Sequence, residues 1–159
     1  MHNTPIGGPG RGLWPDEIIV SCTFTEAATA NDCVQLDLAQ TAATGTAPGD
    51  STPFSTVRDP DTGAAPLTGL EQGIFGVALE TVAAGGVGKV MFYGLTTCNV
   101  DGSTAVGEFL LPAADGQLDR GTGATGLKVV AIAMEADTAN VAACWFNGFG
   151  WGQDGSEDT

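Results

Sequence analysis

The sequence repeats one short pattern, and this repeat decides the fold. Gly76-Val-Ala-Leu-Glu80 returns as Ala131-Ile-Ala-Met-Glu135, and Val90-Met-Phe-Tyr-Gly94 returns as Cys144-Trp-Phe-Asn-Gly148. In each copy a short stretch of turn-forming residues separates the two blocks. Apolar runs joined by such a stretch are typical of β-hairpins. The repeat therefore predicts two related hairpins.

Alternation along a strand predicts which hairpin side chains face a common core, because successive side chains point to opposite faces of a sheet. The predicted core face consists of Phe75, Val77, Leu79, Val90 and Phe92 in the first copy and of Val130, Ile132, Met134, Cys144 and Phe146 in the second. Trp145 then points away from Phe146. This second apolar face must be covered either by the segment 40–70 or by another subunit.

The remaining patterns also indicate strands. Residues 17–24 are rich in β-branched side chains, residues 33–38 alternate apolar and polar, and residues 107–111 fit a short strand between turns. No stretch sustains a helical period of 3.6 residues. We therefore predict an all-β chain with little helix, folded as a small antiparallel β-barrel, a β-tulip-like domain or a sandwich.

The organisation along the chain is predicted as one β domain with two polar ends. Residues 1–16 are rich in Gly and Pro and predict a flexible arm, residues 17–151 form the domain, and residues 152–159 are an acidic tail. Within the domain, residues 40–70 predict a long surface excursion. The arm carries Leu13 and Trp14 near its end, and we expect them to dock either on their own domain or on a neighbouring subunit.

The charge balance excludes several classes of partner. The 159 residues include 5 Lys and Arg against 19 Asp and Glu, a formal net charge of −14. Such a chain is repelled by nucleic-acid phosphates and anionic lipid heads, so neither nucleic acid nor membrane is an expected partner. No apolar run approaches the roughly 20 residues of a membrane-spanning helix. The first residues show no secretory signal pattern, so synthesis in a cytoplasm is expected.

Few residues are suited to catalysis. The single histidine, His2, lies in the arm, which argues against His-dependent nucleophilic catalysis and against metal binding. The glycine motif at 121–126 precedes a strand pattern rather than a helix, which argues against a dinucleotide cofactor. Glu80 and Glu135 occupy equivalent repeat positions and could form a carboxylate-only glycosidase site, although solvated strand ends are the expected role. We predict no enzyme and no catalytic, metal-binding or cofactor-binding residue.

The four cysteines are Cys22, Cys33, Cys98 and Cys144, and no two are close enough in sequence for a Cys-x-x-Cys motif. Small buried thiols are the expected state in a reducing compartment. If residues 18–24 and 33–38 form a hairpin, Cys22 and Cys33 lie opposite each other. A disulfide between these two could then form in an oxidising medium.

Residues 72–148 as a whole resemble a known group of proteins. The hairpin block at 76–94, the strand Ala105-Val-Gly-Glu-Phe-Leu110, the turn Asp115-Gly-Gln-Leu118 and the second hairpin block resemble small capsid decoration, cement or head-fibre-like proteins of tailed phages. The resemblance implies a β-barrel or β-tulip-like domain that adds to an assembled shell, often as a trimer. It implies no catalytic residues.

The predicted function is that of a structural virion protein. It would bind the major capsid protein on the outer surface of an icosahedral phage head, as a homotrimer, and stabilise the head against the pressure of packaged DNA. The candidate interface residues are Leu13, Trp14, Trp145, Phe149 and Trp151. A head-fibre or host-surface adhesion module is the main alternative, and a carboxylate-only glycosidase is the remote one.

Overall fold

A computed structural model describes residues 16–36, 56–58, 73–113, 116–120 and 128–151. The described part is all-β, as predicted, and contains no α-helix. It therefore also contains no helix long and apolar enough to cross a membrane. Outside the described residues lie Leu13 and Trp14, most of the 40–70 excursion, the glycine motif at 121–126 and the acidic tail.

Nine strands make up one sheet in the described part. They are β1 (Ile18–Phe24), β2 (Cys33–Leu36), β3 (Thr56–Arg58), β4 (Phe75–Ala78), β5 (Val87–Asn99), β6 (Phe109–Pro112), β7 (Leu118–Arg120), β8 (Ala131–Ala133) and β9 (Val141–Asn147). Their order in the sheet is β1-β3-β2-β4-β5-β9-β8-β6-β7, and β1 also pairs with β5. Both predicted hairpins, β4 with β5 and β8 with β9, are confirmed.

The 13-residue strand β5 belongs to two closed rings of strands. Its first half, from Val87 to Tyr93, pairs with β1 and closes the first ring, β1-β3-β2-β4-β5. Its second half, from Tyr93 to Asn99, pairs with β9 and continues through β8, β6 and β7. A parallel bridge between Val100 and Leu118 closes this second ring. Two small barrel-like rings thus share one strand.

The two rings have the same pairing scheme. In the first ring β1 runs parallel to β3 and antiparallel to β5, while β2 pairs with both β3 and β4. In the second ring the end of β5 has a parallel bridge to β7 and pairs antiparallel with β9, while β6 pairs with both β7 and β8. The repeat seen in the two hairpins therefore extends over five strands in each ring.

Matching loop contacts support this duplication. In the first ring, Ala28 and Val82 exchange two backbone hydrogen bonds of 2.9 Å. At the equivalent place in the second ring, the Thr104 N–H donates to Asp137 Oδ1 at 2.8 Å, and the Asp137 N–H donates to the Thr104 carbonyl at 3.1 Å. In both rings the loop after the first strand is thus fastened to the hairpin that closes the ring.

The prediction of one common core face for each hairpin is wrong. Ala78 lies opposite Val90, and Val77 lies opposite Met91, so Val77 and Val90 point to different faces. In the second hairpin Cys144 lies opposite Ala133, whereas Ile132 lies opposite Trp145. Alternation defines the two faces of each strand, but the pairing register decides which faces combine.

Each ring has its own core. The first core consists of Cys22, Phe24, Ala28, Val34, Leu36, Val57, Ala78, Val82, Val90 and Phe92. The second consists of Cys33, Phe75, Val77, Cys98, Val100, Leu110, Leu111, Leu118, Val129, Val130, Ala131, Ala133, Ala142, Cys144 and Phe146. Strand β4 is buried along its whole length because Ala78 belongs to the first core while Phe75 and Val77 belong to the second.

Small residues on β4 and β8 make room for large ones on β5 and β9. A Cβ added at Gly76 would lie 2.2 Å from Val90 Cγ1 and 3.3 Å from the Phe92 ring. The repeat-equivalent positions on β8 are Ala131 and Ala133, which are also buried. Interiors of small barrels are filled in this way, with small residues facing large ones.

The predicted hairpin between residues 18–24 and 33–38 is also wrong. Strand β3 lies between β1 and β2, because Val57 pairs with Phe24 on one side and with Leu36 on the other. Cys22 and Cys33 consequently lie in different cores. All four cysteines are buried, and none of them forms a disulfide in the structure.

The close packing around Gly76 gives a first prediction. Gly76→Ala should lower the free energy of unfolding by about 1–3 kcal/mol, because the added methyl overpacks the first core. In a Val90→Ala background the same change should cost much less, since the methyl fills the space that Val90 vacates. Urea unfolding of the parent, both single variants and the double variant measures this coupling. Equal costs in the two backgrounds would contradict a contact between the added methyl and Val90.

The burial of Cys22 gives a second prediction. Burial raises the pKa of this thiol from 9.0 to about 11. Between these values the unfolded chain loses the thiol proton while the folded chain keeps it, so Cys22 should lower stability as pH rises from 9 to 11. Unfolding measured across this range for the parent and for Cys22→Ala should show a smaller decline in the variant. An equal decline in stability for the parent and for Cys22→Ala would contradict the raised pKa of Cys22.

Candidate interaction surface

Four apolar side chains form a row across the outside of the second ring. Leu95 on β5 lies opposite Trp145 on β9, Trp145 lies opposite Ile132 on β8, and Ile132 lies opposite Phe109 on β6. Directly opposed residues have Cβ atoms about 4.5–5.5 Å apart, so neighbours in this row are within contact range. We call Leu95, Trp145, Ile132 and Phe109 the apolar row.

The row faces outward because the neighbouring row fills the core. Gly94 lies opposite Phe146, Phe146 lies opposite Ala131, and Ala131 lies opposite Leu110. These four residues are buried, and they alternate with the members of the apolar row along each strand. The prediction that Trp145 points away from Phe146 is confirmed, since Phe146 is fully buried and Trp145 is half-buried.

Exposure is greatest at the two ends of the apolar row. Leu95 is 59 % exposed and Phe109 is 58 % exposed, whereas Trp145 and Ile132 are half-buried. None of the four is charged, although the chain carries a net charge of −14. Contiguous uncharged apolar surface with aromatic side chains is typical of a protein contact.

Tyr93 connects the apolar row to a cavity. Its ring meets the Trp145 ring edge to face, with centroids 5.8 Å apart and planes at 88°. An aromatic pair in this geometry contributes about 0.5–1.5 kcal/mol beyond the area it buries. The pair therefore helps to hold Trp145 in place on the sheet surface.

The cavity has a volume of about 650 Å³ and lies where β1 begins and β9 ends. Its described lining residues are Ile18, Tyr93, Asn147, Phe149, Gly150 and Trp151. Ile18 and Asn147 flank Tyr93 on either side in the sheet. Phe149 and Trp151 are 43 % and 45 % exposed, so the rim of the cavity is aromatic and open to solvent.

A tight turn after β9 presents the aromatic rim. Asn147 Nδ2 donates to the Gly150 carbonyl at 3.1 Å, and Asn147 Oδ1 accepts the Phe149 N–H at 3.2 Å. Gly150 has φ +90°, a conformation that favours glycine, and packs against the aliphatic part of Lys128. The Trp151 N–H donates to the Val129 carbonyl at 2.9 Å. These bonds hold Phe149 and Trp151 on the same side of the turn.

The structure brings together three of the five predicted interface residues. Phe149 and Trp151 line the cavity, and Trp145 is joined to it through Tyr93. Leu13 and Trp14 lie outside the described residues. The sequence reasoning missed Leu95 and Phe109, whose alignment with Trp145 depends on register and has no local sequence signal.

The repeated carboxylates have a structural role. Glu80 Oε1 accepts the Lys89 N–H at 2.9 Å, and Glu135 Oε1 accepts the Ala143 N–H at 3.1 Å. Each exposed carboxylate thereby bridges the loop of its own hairpin to the next strand. Solvated strand ends were the expected setting, and the hydrogen bond explains why both copies carry Glu. In the described part no group of three or more His, Cys, Asp or Glu is placed to hold a metal ion.

These hairpin contacts give a third prediction. Glu80→Ala and Glu135→Ala should each lower the free energy of unfolding by about 0.5–1.5 kcal/mol, the usual contribution of one hydrogen bond. The Gln variants keep an acceptor and should cost less. Glu17→Ala, which removes an exposed carboxylate beside β1, controls for the change in net charge. Chemical denaturation measures all five variants, and losses no larger than that of the control would contradict the role.

Comparison with known proteins identifies the fold as one found in phage heads. No protein-family model matches the chain, and no curated protein matches it. The head fibre gp8.5 N base of bacteriophage phi29 is similar in structure, with a TM-score of 0.50 and 12 % identity, over 86 % of this chain and 98 % of that chain. A chain of the capsid of Myoviridae phage XM1 is similar with a TM-score of 0.53 and 16 % identity, over 94 % and 98 % respectively. The resemblance predicted from the sequence is thus confirmed for the fold.

Proposed function

We propose that the chain is a structural protein of a phage head, attached to the outer surface of the capsid as a decoration protein. The observation that carries this proposal is the structural likeness to two phage head components over most of the chain. The likeness extends over both rings, because it covers 86 % and 94 % of the chain. The partner would be the major capsid protein.

The apolar row is the surface we assign to contacts with the shell or with sister subunits. Both rings are closed, so few strand edges remain in the described part for a partner strand to extend the sheet. A partner must therefore bind outward-facing side chains. The exposed Leu95 and Phe109 on either side of Trp145 provide such a surface.

A decoration protein needs no chemistry to stabilise a head. A protein that binds several capsid subunits at once favours the closed shell by mass action, and the stabilisation grows with its concentration relative to the dissociation constant. The net charge of −14 is repelled by packaged DNA, which favours the outer surface over the inner one. We also propose a homotrimer, because the proteins that the sequence resembles often add to the shell as trimers.

A head-fibre base is the second candidate function. One of the similar structures is the base of a head fibre, and it matches this chain over 98 % of its own length. In that role the same two rings would anchor a projecting appendage instead of forming a flat clamp. The two candidates share attachment to the head and differ in what projects from it.

The shell-binding proposal gives a fourth prediction. Purified chain added to heads that lack it should appear as extra density on the outer surface and should raise the temperature at which DNA escapes. Leu95→Asp and Phe109→Asp should weaken binding about tenfold or more, because each places a charge in an apolar contact. Val87→Asp is the matched control, since Val87 is 69 % exposed but lies on the first ring, at the far end of β5.

Cryo-electron microscopy and co-sedimentation with heads measure these outcomes. Unchanged density and unchanged heat resistance would overturn the decoration role. Density that extends well beyond the two rings would favour the fibre base. If both Leu95→Asp and Phe109→Asp bind heads as well as the parent does, the apolar row is not the contact surface, although the decoration role still stands.

Sedimentation of the isolated chain tests the homotrimer. Saturable binding of the chain to host cells instead of heads would favour an adhesion module.

A further inference from the structure

The cavity at the junction of the two rings is built for an apolar occupant. Apart from Asn147, its described walls are Ile18, the rings of Tyr93, Phe149 and Trp151, and Gly150. Both amide atoms of Asn147 already hydrogen-bond within the turn that follows β9. Beyond the Tyr93 hydroxyl and the Trp151 indole N–H, a polar ligand would find few partners here, whereas an aromatic or aliphatic side chain would bury apolar surface against the walls.

The N-terminal arm ends beside this cavity. The Asp16 carbonyl and Glu17 Cβ lie 3.2 Å from the position of a Cβ added at Gly94, so the chain before β1 is held against β5 next to Tyr93. Trp14 is two residues before Asp16. Two residues of chain span at most about 7 Å, so the cavity is within reach of a large side chain at position 14.

The arm also contains the side chains that the cavity suits. Leu13 and Trp14 are adjacent large apolar residues in a segment otherwise rich in Gly, Pro and polar residues. The acidic tail after Trp151 also leaves from the cavity but contains no large apolar residue. Gly73 lies close as well, since Lys128 Nζ donates to the Gly73 carbonyl at 2.7 Å and Lys128 packs against Gly150, and the segment 59–72 joins the chain at Gly73. Leu67 and Leu70 of that segment are therefore the competing occupants.

We propose that the chain's own Leu13 and Trp14 dock in the cavity lined by Ile18, Tyr93, Phe149 and Trp151. The arm then lies across the start of β1 and the end of β9, and its apolar end is removed from water. This places the arm on its own domain, which is one of the two positions that the sequence left open. Docking of the arm is a property of the isolated chain and is independent of attachment to a phage head.

Nuclear magnetic resonance on the full chain tests the docking. The reporters are the Trp151 indole N–H and the Ile18 δ1 methyl. Both residues line the cavity, Ile18 from the start of β1 and Trp151 from the turn after β9. Trp14→Ala should move both signals by more than a linewidth, because the ring current of Trp14 is lost from the cavity. The Ile132 methyl, on the apolar row, should stay in place. Ile6→Ala, the matched control within the arm, should leave both reporters unchanged.

A mixed sample identifies whose arm fills the cavity. Labelled Trp14→Ala chain is combined with unlabelled parent under conditions that allow subunits to exchange. Reporter signals that stay at the variant positions support docking within one chain, whereas signals that return to the parental positions overturn it in favour of a second copy. Unmoved reporters in Trp14→Ala, or reporters that move only with Leu67→Ala or Leu70→Ala, also overturn the proposal.

Discussion

The structure depends on the register of one long strand. Strand β5 pairs with β1 and β4 along its first half and with β9 along its second half, and each half closes a ring. A shift of β5 by one residue would turn Val90 and Phe92 out of the first core and Cys98 out of the second at the same time. The two cores are therefore coupled through the backbone they share.

That coupling also determines where an interaction surface can form. Since Phe146 and Ala131 must fill the second core, their neighbours Trp145 and Ile132 must face outward. The apolar row is thus a direct result of how the core is packed. It carries no charge in a chain whose formal net charge is −14, and its two ends are exposed. Its uncharged character is the physical argument for a protein partner.

Much of the architecture can be read from the sequence, because hairpin signals are local. The two repeated blocks predicted β4 with β5 and β8 with β9, and β-branched content predicted β1. Nonlocal features could not be predicted. The three residues of β3 carry too little pattern to be recognised as the strand that separates β1 from β2, and so the Cys22–Cys33 hairpin was expected. The surface likewise depends on cross-strand alignment, which is why Trp145 was found and Leu95 was not.

The position of Tyr93 has a practical consequence for attaching anything to this chain. Ile18 on β1 and Asn147 on β9 flank Tyr93 on β5. The start of β1 and the end of β9 are therefore separated by two strand spacings, roughly 10 Å. A label attached at Glu17 or at Trp151 would therefore lie close to the apolar row and would hinder a partner that binds there. The turn at Ala83–Gly86 comes directly before β5, on the first ring and away from the apolar row. A peptide displayed from this turn would point away from the partner.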